Sequence, residues 1–164
     1  RYRMQRTKSE RERKIIPMSL QVKLQKLRPN AHIPAYATPG SAAVDLYAAV
    51  DAPVTIAPQS RCPIPTGLAM DPGSADVVGL VYARSGLGCK FGIAPANCVG
   101  VIDSDYRGEI TVCLQNNGTE PYTVQEGDRI AQLLFAPVLH AQFEVCDSLS
   151  ETERGTGGFG STGK

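Results

Sequence analysis

Apolar residues fall in short runs cut by glycine and proline, and in several runs every second residue is apolar. Val22 and Leu24, then Ile110, Val112 and Leu114, then Ile130 and its neighbours keep the two-residue period by which a strand turns one face to a core and the other to water. Strand-like runs recur at SLQVKLQKL (19–27), AAVDLYAA (42–49), DVVGLVYA (76–83), NCVGVI (97–102), EITVCLQ (109–115), DRIAQLLFA (128–136) and AQFEV (141–145). With 16 Gly and 12 Pro in 164 residues, few gaps could hold a three-turn amphipathic helix. The pattern predicts an all-β barrel or jelly-roll-like sandwich and not a βαβ sheet. One short helix is expected after ARSG (83–86). Residues 97–115 read as a β-hairpin with a longer loop, because two strand-like runs flank the turn formers of DSDYRG. In the 128–136 run, alternation puts Arg129 and Gln132 on opposite faces. Residues 1–17, polar, charged and stopped by Pro17, read as a disordered basic arm. Residues 18–148 read as the β domain, and 149–164, polar and then glycine-rich, as a flexible C-terminal arm. No internal repeat is found.

Composition and charge narrow the class. A hydrophobic fraction of 42% over 164 residues is enough for one core. No apolar run approaches the roughly 18 residues of a membrane span. The opening RYRMQRTKSERERK lacks the apolar stretch of a secretory signal, and its two Glu residues argue against a mitochondrial transit peptide. The five cysteines, at 62, 89, 98, 113 and 146, form no C-x-x-C pair. Mostly inert thiols in a reducing compartment, the cytoplasm or nucleus, are the simplest account. The net charge of +1 hides an asymmetry: residues 1–14 carry seven basic and two acidic groups, the remainder ten and fourteen, so the arm holds +5 and the body −4. Such a body is a poor duplex-DNA binder, since phosphate neutralisation supplies most of that affinity. No nucleic acid or membrane partner is expected. Any polyanion must be held locally, by a few arginines or a metal.

Five segments could carry chemistry. The DSDYRG loop presents Asp103, Asp105, Tyr106 and Arg107. Asp103 would be ionised at neutral pH, its reference pKa being about 3.9, and could orient and deprotonate a water; as a plain turn it would only cap its own backbone. In VYARSGLG (81–88) an apolar strand runs into Arg84, Ser85 and Gly86, where a helix start and a guanidinium fork suit phosphate. In EGDRIAQLLF (126–135), Gly127 and Asp128 suit a turn into a strand bearing Gln132. Asp45 lies in the apolar run AAVDLYA; there it is either paired or metal-linked, or faces outward on an edge strand. The tail TERGTGGFGSTGK (152–164) matches G-x-G-x-x-G at Gly155, Gly157 and Gly160, and part of a P-loop at Gly158, Gly163 and Lys164. Both motifs require a strand before and a helix after, which SETER and the following residues do not supply. What the tail offers is many N–H groups, Arg154, Phe159 and two hydroxyls, a set able to close over a nucleotide.

Together and in order, AVDLYA, ARSGL, GVIDSDYRG, GDRIAQL and RGTGGFGSTG resemble the five motifs of the trimeric dUTP pyrophosphatase (dUTPase) family, over roughly residues 20–164. The resemblance implies a distorted jelly-roll-like β-barrel of the β-clip type, assembled as a homotrimer with active sites shared between subunits. It implies Mg²⁺-dependent hydrolysis of dUTP to dUMP and pyrophosphate, which keeps uracil out of DNA and supplies dUMP for dTMP synthesis. Asp103 would activate the water that attacks the α-phosphorus, and Tyr106 would exclude a 2′-hydroxyl. Asn97, Gly100, Val101 and the backbone on to Ile110 would read the uracil edge. Arg84, Ser85 and Gly86 would hold phosphates, and Asp45 would help place Mg²⁺ through water, the ion being held mainly by the substrate phosphates. Gln132 would contact phosphate or the catalytic water, and Asp128 would join a network between subunits. Arg154 would bind the γ-phosphate, Phe159 would stack on uracil, and Gly160, Ser161 and Thr162 would cap the phosphates. Two departures stand out: Ala83 precedes Arg84 where the family often has Pro, and Ala43-Val44 precede Asp45 where it often has Gly. Two rivals remain: a dCTP deaminase-like enzyme of the same superfamily, which would use a Glu at the cytosine ring, and a non-catalytic binding module on the same fold.

Overall fold

The computed structural model describes residues 20–158. The strands are β1 (Lys23–Lys26), β2 (Val44–Tyr47), β3 (Val54–Ile56), β4 (Arg61–Pro65), β5 (Leu68–Asp71), β6 (Val77–Tyr82), β7 (Ile93–Pro95), β8 (Gly100–Ile102), β9 (Thr111–Asn116), β10 (Tyr122–Val124) and β11 (Arg129–Pro137). One helix, α1 (Ser85–Phe91), stands between β6 and β7. All strand pairing is antiparallel. A four-stranded sheet runs β2-β11-β6-β8 and a three-stranded sheet β4-β9-β7; β1 pairs with β5, and β3 with β10. This is the all-β, jelly-roll-like architecture with one short helix that the alternation predicts. No helix among the described residues is long and apolar enough to cross a membrane.

The period of two does what it should. Ile110, Val112 and Leu114 all face inward and are buried, as are Leu46 on β2 and Ile130 and Leu133 on β11. Five short strands, β3, β4, β5, β7 and β10, fall outside the run pattern, and two of them carry prolines. Pro63 and Pro65 sit in β4 and Pro95 in β7, and both are outer strands of their sheet, where a missing N–H costs no ladder bond. Asn116 is fully buried and fully used: its amide donates to the carbonyls of Ile56 (2.9 Å) and Glu120 (2.8 Å), and its oxygen accepts from Gly118 N–H (2.9 Å). Such a satisfied polar group fixes a turn inside the core at little cost. Helix α1 stops at Gly92, whose φ of 70° is left-handed. A Cβ there would stand 2.7 Å from the backbone nitrogen of Gly118, so only glycine fits.

Three expectations are corrected. The runs 97–102 and 109–115 do not form a hairpin: β8 pairs with β6 and β9 with β4 and β7, so the loop between them crosses from one sheet to the other. The run 141–145 forms no strand, and the last strand ends at Pro137. Its alternation is real, but no strand edge among the described residues pairs with it; Phe143 and Val145 are 95% and 99% exposed. Arg129 and Gln132 do not oppose one another across β11. A register shift between Arg129 and Ala131 inserts a residue, and such a bulge turns the side chains before it to the other face. Ile130 and Ala131 are consequently both buried.

Candidate active site

The crossing loop creates a cleft. β8 ends its pairing with Ile102 opposite Gly79, and β9 begins its own with Thr111 opposite Pro65. Two strands that diverge in this way leave between them a slot that a zipped hairpin would have closed. The cavity measures about 310 Å³ and is walled by Val81, Val101 and Ile102 on one side and Pro95, Val112 and Cys113 on the other. Asn97, Gly100, Asp103, Tyr106, Glu109 and Ile110 also line it. Gly100 belongs there on steric grounds, because a Cβ would sit 3.1 Å from that of Val81. Asp103 and Tyr106 are both exposed at the rim. The loop turns back on itself through Tyr106 N–H to the Asp103 carbonyl (3.1 Å), and the Tyr106 hydroxyl donates to the Glu109 carbonyl (3.0 Å). An exposed carboxylate beside a ring-sized slot, with an aromatic face next to it, can hold a water near a bound nucleotide. The backbone of Ile110 is already spent: its N–H goes to Leu68 (2.7 Å) and its carbonyl takes the Thr66 hydroxyl (2.6 Å). What Ile110 gives the cleft is wall.

A second cluster lies where β2, β11 and the end of β6 meet. Gln132 stands opposite Asp45 on one side and Tyr82 on the other, so Asp45 and Gln132 share a face. Arg84 Nε donates to Asp45 Oδ1 at 2.8 Å, and Arg129 Nη1 to Asp45 Oδ2 at 3.4 Å. Asp45 is therefore paired, and β2 is also an outer strand. Two guanidiniums against one carboxylate, its side chain only 12% exposed, leave a local positive excess suited to phosphate. Arg129 was not marked by the sequence pattern, because the bulge that brings it to this face is invisible to parity. Ser85 and Gly86 are exposed at the start of α1, where no side chain caps the first N–H groups.

The remaining predicted residues are placed unevenly. None of Asp45, Arg84, Arg129 or Gln132 lines the cleft that holds Asp103 and Tyr106. Asp128 closes its own turn: its Oδ2 accepts from Gln125 N–H at 2.8 Å, and its carbonyl accepts from Ala48 N–H at 2.8 Å. Arg154 is exposed and turns its Nε to the Gly157 carbonyl (2.9 Å). Phe159, Gly160, Ser161 and Thr162, like the basic arm at 1–17, lie outside the described residues. A larger cavity of about 900 Å³ is apolar, lined by Leu20, Val22, Leu24, Val44, Leu133 and Phe135 among others; it contains none of the predicted site residues.

A divalent ion finds no cage of side chains: no group of three or more His, Cys, Asp or Glu among the described residues could hold one. The two Asp45 oxygens each accept from an arginine, yet each keeps a lone pair for a water. The donor set fits an ion carried on substrate phosphates and touched through water, and does not fit one bound by protein alone.

Comparison with known proteins adds the following. A family model described as dUTPase matches residues 29–163. The deoxyuridine 5′-triphosphate nucleotidohydrolase of Desulfitobacterium hafniense (strain DSM 10664 / DCB-2) is 54% identical over 147 residues, covering 88% of this chain and 97% of that protein. The protein of the same name from Coxiella burnetii (strain Dugway 5J108-111) is 50% identical over 148 residues, covering 89% and 97%. Among solved structures, the Staphylococcus bacteriophage 80alpha dUTPase with dUPNHPP superposes with a TM-score of 0.82 at 25% identity, over 89% of this chain and 100% of that one. A mutant dUTPase of phage phi11 of S. aureus, whose structure describes coordination of a structural Mg(II) ion, has a TM-score of 0.70 at 23% identity, over 78% and 97%.

Proposed function

The chain belongs to the dUTPase family, and from that premise we propose that it hydrolyses dUTP to dUMP and pyrophosphate with Mg²⁺. The observation that carries this reading is the cleft between the diverging strands β8 and β9, with Asp103 and Tyr106 at its rim.

The pyrimidine enters the slot between Val81 and Cys113, where Asn97 and the backbone at Gly100 and Val101 meet the uracil edge. A thymine methyl would collide with the wall, and cytosine would present the wrong donors, leaving polar groups unpaired. The Tyr106 ring packs on the deoxyribose and leaves no room for a 2′-hydroxyl. Asp103 takes a proton from the water that attacks the α-phosphorus, in line with the departing pyrophosphate. Arg84, the N–H groups of Ser85 and Gly86, and Gln132 hold the phosphates; Asp45 keeps the Arg84 and Arg129 forks oriented and offers a lone pair to water on the ion. When bound, Mg²⁺ would offset charge gathering on the leaving group. Arg154 and, beyond the described residues, Phe159, Gly160, Ser161 and Thr162 close the site over phosphates and base.

The two clusters complete one another across subunits of a homotrimer. In support, none of Asp45, Arg84 and Gln132 lines the cleft of Asp103 in one chain, and beyond Pro137 Leu139, Phe143, Val145 and Leu149 are all exposed. An apolar extension of that kind is stable only when another surface covers it. The cysteines of the described residues are all free thiols, which suits a reducing compartment such as the cytoplasm. The basic arm at 1–17 and the C-terminal arm at 149–164 flank the β domain, whose acidic body needs no nucleic-acid partner.

The test is pyrophosphate release from dUTP, dCTP, dTTP and UTP with Mg²⁺, with and without a chelator. Release confined to dUTP and abolished by chelation is expected. Ammonia release from dCTP, or no turnover of dUTP, would contradict the reading.

A further inference from the structure

The loop 103–110 carries both residues on which the proposed chemistry turns, yet it belongs to neither sheet. Among the described residues, its hydrogen bonds to other elements go to β5, to the residues leading into β5, and to Arg28. At one end Ile110 N–H donates to the Leu68 carbonyl (2.7 Å), and Glu109 Oε1 accepts from Gly67 N–H (2.9 Å) and from Arg28 Nε (2.8 Å). At the other end the tie is a single side chain. Arg107 Nη2 donates to Asp71 Oδ1, the last residue of β5, at 2.9 Å. The same guanidinium reaches back with Nη1 to the carbonyls of Ser104 (2.7 Å) and Tyr106 (3.2 Å). One planar fork thus holds two peptide groups next to Asp103 and Tyr106 and bolts them to a strand. A lysine, a single point donor, cannot span three such acceptors in a fixed plane.

We propose that Arg107 and Asp71 are positioning residues for the hydrolysis. The pair pins the outer end of the loop to β5 and sets where the Asp103 carboxylate and the Tyr106 ring stand relative to the cleft. The inference rests on the dUTP-hydrolysis reading above. Neither side chain touches reacting atoms. Arg107 is exposed and Asp71 partly so, with 53% and 34% side-chain exposure, so the pair adds little to global stability. Its contribution is local: a base displaced by a fraction of an ångström loses its alignment with water and phosphorus.

The experiment compares wild type, D71A, R107A, R107K and the D71A/R107A double variant. It reads kcat and KM for dUTP, the UTP-to-dUTP ratio of kcat/KM, and the thermal midpoint. D71A should lower kcat by about three- to tenfold and raise the UTP ratio, with the midpoint nearly unmoved. R107A, which leaves the Asp71 cap on Gly73 N–H (2.9 Å) intact, should lose at least as much. Adding D71A to R107A should cost nothing further, and R107K should not restore the rate. An active wild type with D71A unchanged in kcat and in sugar discrimination overturns the strut alone. So does a D71A loss that is equally large on the R107A background. A wild type without dUTP turnover overturns the underlying reading and the strut with it.

Discussion

Tyr106 holds its pose because the residue two places later has no side chain. A Cβ on Gly108 would run into the Tyr106 hydroxyl oxygen and come within 2.6 Å of Cζ. The ring leans over that bare backbone while its hydroxyl reaches the Glu109 carbonyl. The pose of the ring is therefore set by two residues, one supplying the ring and one supplying room for it, and under the proposed function this ring faces the sugar. Gly108→Ala should push the ring off its seat and raise the UTP-to-dUTP ratio of kcat/KM by roughly tenfold, about what a small steric change in a pocket can do. Steady-state kinetics with the two nucleotides checks this, and an unchanged ratio would mean that the ring does not guard the 2′-position. Asp45 shows the same division of labour, since its carboxylate holds two arginines, which under the proposed function face the phosphates in its place.

Glu109 ties the start of β9 to the turn before β5. Hydrogen bonding from Arg28, above all, holds its carboxyl below the usual carboxylate range, with Gly67 N–H assisting and burial opposing. A carboxylate with a lower pKa folded than unfolded stabilises the fold above its ordinary pKa of about 4.3 and loses that contribution as the pH falls through the folded value. Thermal midpoints of wild type and E109Q should therefore differ near neutrality and converge as the pH falls below the ordinary carboxylate range; a gap independent of pH would contradict the ion-pair account. At this scale the sequence is legible where a strand alternates and buries one face, as from Ile110 to Leu114. It is illegible where an element depends on its neighbour. Pairing of β8 with β6 instead of β9 is decided by which edges meet, which no run of residues encodes. The bulge at Arg129–Ala131 is likewise a fact about β2 and β11 together, so Arg129 escaped a reading by parity. Asp45, Arg84, Asp103 and Tyr106 stand out as candidates in the sequence because their residue types carry chemistry whatever the register.

Across the whole molecule, none of Asp45, Arg84 and Gln132 lines the cleft of Asp103 and Tyr106, and the large apolar side chains beyond Pro137 among the described residues are exposed. Both features are answered together if copies of the chain share sites and arms. Deleting residues 153–164 should then leave the assembly size unchanged while cutting dUTP turnover by about a hundredfold or more, if, as proposed, Arg154 and the glycine-rich arm close over phosphates. Light scattering and activity measured on one preparation check both halves, and full activity after truncation would remove the arm from the mechanism. The central claim is narrower: the Asp103 carboxylate, at the mouth of the slot between β8 and β9, deprotonates the attacking water. Its most direct test is Asp103→Asn, with binding of a non-hydrolysable dUTP analogue and pyrophosphate release from dUTP measured in parallel. The account predicts near-native binding with turnover reduced by about 10²- to 10⁴-fold; turnover undiminished by the change would contradict it.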